Sequence, residues 1–206
     1  MFKRFLAGIL AVAMVAALWI IPASAADVVL DIDYGDKAWN GESLSPVDSL
    51  PIVNDYDRNF TFELYVKIND FATPSVIAGA FGASLHGYAL WVNGGTLYFS
   101  AADPNGNNHV TFGSSYTAGW TGKWLHILGV KNGTTNTLYI CSEDSSEYVS
   151  GSNNRTTKRV WTDAACFGIN GAGTAFAGAA DFSLGTVRLY NEDVSANRDA
   201  MRAECE

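Results

Sequence analysis

Apolar and polar residues alternate with a period of two along most of this chain. Phe60, Phe62, Leu64, Val66 and Ile68 fall on one side of an extended segment, and Thr61, Glu63, Tyr65, Lys67 and Asn69 on the other. That alternation predicts a strand with one buried face and one face turned to solvent or a ligand. Tyr88–Val92, Asn93-Gly94-Gly95 and Thr96–Ser100 read as a hairpin, because Asn and Gly tolerate the positive φ angles of tight turns. Further strands are expected at Val28–Asp33, His109–Phe112, Lys123–Val130, Thr137–Cys141, Cys166–Ile169 and Phe182–Tyr190, with a turn over Lys131–Asn136. Trp124 is assigned to the core, since its strand is apolar on both faces. One helix is expected, from Ser195, whose hydroxyl would cap the first turn. Many short strands, 20 glycines and polar turns point to an all-β sandwich or barrel.

The start of the chain follows another rule. Met1-Phe-Lys-Arg4 is basic, Phe5–Ile21 is apolar, and Pro22 precedes Ala23-Ser24-Ala25. A basic start, an apolar centre and small residues at a cleavage site predict a secretory signal peptide over 1–25, with no retained membrane span. One domain is expected over 26–206, a length that supports one sizeable core. Without Lys3 and Arg4, 11 basic residues face 21 acidic ones, a net charge of −10. Such a chain repels phosphate backbones, and nucleic acid is excluded as a partner. Export makes a disulfide feasible among Cys141, Cys166 and Cys205, and the sequence leaves all three pairings open. The wide spacing of these cysteines, and of His86, His109 and His126, matches no zinc pattern.

The motifs, in order, resemble the laminin G-like branch of the concanavalin A-like lectin/glucanase jelly rolls. Asn59-Phe-Thr-Phe-Glu-Leu-Tyr-Val-Lys67 resembles the family's F-T strand, and Gly122-Lys-Trp124-Leu-His126-Ile127 its G-x-W-x-H-V strand. Leu138-Tyr139-Ile140 and the segment from Phe176-Ala-Gly178 through Tyr190-Asn191 resemble the strands that follow. The resemblance implies a two-sheet antiparallel jelly-roll sandwich with a short C-terminal helix, and a non-catalytic module that binds carbohydrate or an extracellular partner through loops at one edge. Cysteine pairs near the C-terminus of such domains make Cys166–Cys205 the expected bridge. Cys141-Ser-Glu-Asp-Ser-Ser146 departs from the family's usual Asp-Gly or Asn-Gly turn.

Related glucanases imply an alternative, a glycoside hydrolase. Hydrolysis needs two carboxyl groups flanking the scissile bond, and the glucanase E-x-D-x-x-E strand is absent here. Asp31 and Asp33 share a strand face, which reads more simply as solvated. A structural accessory protein is a third reading. Asp103, Asn105 and Asn107 supply oxygen ligands of the kind calcium takes, with Asp36 or Asp181 as a second contributor, although Pro, Asn and Gly also build ordinary turns. Trp91, Tyr98, Tyr116, Trp120 and Trp161 are the candidate ligand-binding residues, because aromatic rings in a shallow groove stack on the apolar faces of sugars. His126 is assigned a packing or hydrogen-bonding role.

Overall fold

The computed structural model describes residues 28–40, 59–81, 87–102, 109–154, 165–167 and 181–206. The signal peptide expected over 1–25 lies outside them. Among the described residues eleven strands form two antiparallel sheets. β1 (Val28–Asn40), β2 (Phe60–Ile68), β7 (Trp124–Asn132), β8 (Thr135–Ser142), β9 (Val149–Asn154) and β11 (Asp181–Tyr190) make the first, in the order β1-β11-β2-β7-β8-β9. β3 (Ser75–Phe81), β4 (Gly87–Asn93), β5 (Thr96–Ala102), β6 (His109–Phe112) and β10 (Ala165–Phe167) make the second, in the order β10-β3-β4-β5-β6. This is the all-β jelly-roll sandwich that the alternation and the resemblance lead one to expect.

The core lies between the sheets. Phe60, Phe62, Leu64, Val66 and Ile68 of β2 are all buried, and they meet Tyr88, Leu90 and Val92 of β4 and Leu97 and Phe99 of β5. Each such side chain contributes roughly 1.5–3 kcal/mol on leaving water. The other half of β2 does not face solvent as alternation alone suggests. Thr61 and Glu63 are as buried as the apolar set. Thr61 Oγ1 donates to the Glu192 carbonyl and accepts from Val194 N, so the C-terminal segment covers this end of the strand.

The β4–β5 hairpin closes through Gly94 and Gly95, with φ of 57° and 81°. Both central residues lie in the left-handed region that a two-residue hairpin of matching twist requires. The turn after β7 is shorter than the sequence suggests, because pairing continues to Asn132↔Thr135 and leaves only Gly133 and Thr134. β3 and β9 lack a sequence signal. β3 is rich in Ala and Gly, and β9 is a polar edge strand held to β8 partly by the Thr137–Ser152 hydroxyl contact.

Among the described residues two helices are present, where the sequence predicts one. α1 (Ser114–Trp120) has no side-chain cap and is fixed by tertiary contacts, with Trp120 in the core and Thr117 Oγ1 donating to the Gly95 carbonyl. α2 (Arg198–Cys205) follows a single 3-10 turn at Ser195–Asn197. Ser195 does not cap it, because its hydroxyl donates to Asp193 instead (2.6 Å). Among the described residues no helix is long and apolar enough to cross a membrane.

Candidate functional site

The expected ligand-binding aromatics separate into two groups. Trp91 of β4 and Tyr98 of β5 are cross-strand partners on the outer face of the second sheet. Their rings stack at 3.7 Å between centroids and 8° between planes. Ser100 and His109 share this face. Trp91 Nε1 donates to Ser100 Oγ (2.8 Å), which also contacts His109 Nδ1 (2.5 Å), and the His109 ring meets the edges of both aromatics. A serine hydroxyl accepts one bond and donates another, so a single residue orients the Trp91 and His109 rings. Trp91 is largely buried and Tyr98 half-buried.

Tyr116 and Trp120 stand elsewhere. Both belong to α1, with Trp120 buried, Tyr116 exposed and Phe112 of the core against each ring. They form no common platform with Trp91. Trp161 lies outside the described residues, as do Asp103, Asn105, Asn107 and the side chain of Asp36. Asp181 is exposed and accepts a hydrogen bond from Asn69.

Trp124 is not in the core. Register turns it to the outer face of the first sheet, where it stacks on Tyr65 at 4.8 Å with the Lys67 ammonium over its ring. Asp31 and Asp33 are exposed on that sheet's first strand. Asp31 accepts from Arg188 Nε (2.9 Å), and Asp33 accepts from the Gly35 amide.

A second polar constellation lies between the first sheet and α2, where the sequence offers no obvious signal. Glu63 of β2 and His126 of β7 are buried, and Nε2 of the histidine is 2.8 Å from Glu63 Oε1. Tyr190 donates to Glu63 Oε2 (2.8 Å), and Arg188 Nη1 stands 3.6 Å from that oxygen. His126 Nδ1 meets the Tyr148 hydroxyl (2.5 Å), which also contacts the Arg198 carbonyl (3.0 Å). From α2, Cys205 Sγ reaches Glu63 Oε1 at 3.6 Å. Burial and the neighbouring Glu63 push this thiol up to about 12. His126 thus has the hydrogen-bonding role expected of it, but its partner Glu63 reads in sequence as one more polar strand position.

Cys205 is a free thiol, so the expected bridge to Cys166 is not formed here. The fold gives the reason. Cys205 points at Glu63 across the first sheet, whereas the Cys166 backbone pairs with Gly79 on the edge of the second. Cys141 is also free and buried, with Arg202 donating to its sulfur (2.7 Å).

No curated protein matches the chain in sequence. Similar solved structures include the receptor-binding domain of botulinum neurotoxin D, at TM-score 0.60 and 15% identity over 86% of this chain and 46% of that one. Another is the binding domain of botulinum neurotoxin DC in complex with rat synaptotagmin II, at TM-score 0.54 and 12% identity over 73% of this chain and 36% of that one. A third is described by the dependence of botulinum neurotoxin type C cell entry on two ganglioside molecules, at TM-score 0.55 and 13% identity over 72% and 36%. The chain spans less than half the length of each, and at these identities the likeness is one of fold. A family model described as the concanavalin A-like lectin/glucanases superfamily (Laminin_G_3) matches residues 44–198, and the chain belongs to that family.

Proposed function

We propose that this chain is a secreted, non-catalytic recognition module that binds carbohydrate on the outer face of its second sheet. One observation carries the reading. Tyr98 lies flat on Trp91 beside hydrogen-bonded Ser100 and His109, which puts a broad apolar ring surface next to oriented polar groups. Sugars present the same pairing, an apolar face rimmed by hydroxyls. The ganglioside and synaptotagmin named for the similar toxin domains support a recognition role on this fold. Calcium at Asp103, Asn105 and Asn107 belongs to the proposal.

A glycan array of the purified protein, with calcium and then with chelator, tests it. Binding to a defined sugar that falls at least tenfold in Tyr98→Ala supports this face. Dependence on calcium gives Asp103, Asn105 and Asn107 their role. Silence under both conditions overturns glycan binding and favours a protein partner.

The hydrolase alternative requires two carboxyl groups across a cleft. Asp31 and Asp33 are engaged by Arg188 and the Gly35 amide. Turnover of a glycan that disappears in Asp31→Asn and Asp33→Asn would establish that reading in place of ours.

A further inference from the structure

We propose that Glu63, His126 and Cys205 bind one divalent ion of zinc type between the first sheet and α2, clamping the helix to the sheet. Their candidate ligand atoms all lie within 4.8 Å of one another. Ligands at about 2.0–2.3 Å from a tetrahedral zinc ion stand roughly 3.3–3.7 Å apart. The Glu63–His126 separation is 2.8 Å and the Cys205–Glu63 separation 3.6 Å, so small side-chain adjustments open the position.

The hydrogen-bond inventory favours a cation there. Tyr148 has one hydroxyl proton and two contacts, His126 Nδ1 and the Arg198 carbonyl. A carbonyl can only accept, so a Tyr148 proton given to Arg198 leaves Tyr148 to accept from Nδ1–H. A neutral imidazole so placed turns its Nε2 lone pair toward Glu63 Oε1, and two acceptors face each other at 2.8 Å. A cation between them resolves the conflict, either a shared proton or a metal ion. The third group aimed at the same oxygen is a sulfur, which selects a borderline-soft metal over calcium or magnesium.

The surrounding groups suit the role. Tyr190 and Arg188 hold Glu63 Oε2, leaving Oε1 as a single ligand atom. The Tyr148–Arg198 chain fixes the ring of His126, the kind of outer support that ligating histidines use. A carboxylate and a thiolate together balance a divalent charge, and metal binding releases the thiol proton. Cys205 is partly exposed, which gives the ion an entry path. This site lies on the opposite side of the sandwich from Trp91 and Tyr98 and is independent of the proposed glycan binding.

Cobalt titration of the reduced protein is the test. One equivalent should give tetrahedral visible bands with a thiolate-to-cobalt charge-transfer band, displaced by zinc. The charge-transfer band should vanish in Cys205→Ser, a change in the last turn of α2, and persist in Cys141→Ser. Tyr148→Phe should weaken zinc binding about ten- to a hundredfold, as loss of an outer-shell partner does. A folded protein that gives no cobalt spectrum overturns the proposal. So does a charge-transfer band that survives Cys205→Ser, or a Cys166–Cys205 disulfide in the peptide map of the unreduced protein.

Discussion

The ring of Phe99 rests on the backbone of Gly129, where a Cβ would come within 2.3 Å of Cε2. The two residues belong to different sheets, so the missing side chain at Gly129 makes room for a ring from the facing layer. Gly129→Ala forces the ring or the strand aside. We expect a loss of about 1–3 kcal/mol in urea unfolding, the usual cost of overpacking. Phe99→Leu in the same chain should recover part of it, and strictly additive losses would contradict the contact.

The carboxylate of Glu63 should be costly to delete. Glu63→Ala leaves Arg188 without its buried counter-charge and His126 Nε2 without its partner, and should cost about 3–5 kcal/mol. Tyr190→Phe removes one hydrogen bond to a charged group and should cost about 1.5–3 kcal/mol. Denaturant unfolding in parallel with the wild type checks both values, and a change below half a kcal/mol in either would contradict the network.

Acid should weaken the fold partly through Asp193. Burial pushes its carboxyl up, but hydrogen bonds from Ser195 and Asn132 outweigh this and hold it below the ordinary value. The unfolded chain therefore takes up this proton first as pH falls. Its contribution is complete above about pH 4 and is lost as pH drops through the lower folded value. Asp193→Asn should lower stability above about pH 5, differ least from the wild type at the acid end, and so flatten the acid limb. An unaltered limb would count against the assignment.

The β4–β5 turn predicts a contrast between neighbouring glycines. At Gly95, φ of 81° penalises a side chain, and Gly95→Ala should cost about 1–2 kcal/mol. Gly94→Asn should be tolerated, because Asn visits the left-handed region and a Cβ there meets nothing within 4 Å. Thermal unfolding of the two variants distinguishes them.

The sheets were largely legible in the sequence because a buried strand face repeats every two residues, and β2 carries that pattern through nine positions. Elements held by tertiary contact alone were not. α1 has no cap and only one core anchor of any size, and β9 has no apolar face to announce it. Trp124 was misplaced because the outer face of β7 is itself buried farther along, at Leu128 and Val130, under α2. The same covering layer hid the Glu63 cluster. Its members lie 63 and 79 residues apart along the chain, and only the strand register and the helix bring them together. Of the aromatic candidates, cross-strand pairing could unite Trp91 with Tyr98, whereas nothing in the spacing separates Tyr116 and Trp120 from them.

In the order β1-β11-β2, the strand that joins two early segments is the last to be made. β1 and β2 have no ladder with each other. Until residues 181–190 emerge, each keeps a row of unpaired amides and carbonyls along the side β11 will fill. Contacts of such long sequence separation slow folding to milliseconds or longer. An incomplete chain is therefore a sheet with open edges, the form most prone to pair with its own copies. Its yield in any host should depend on how well those edges are shielded before synthesis ends.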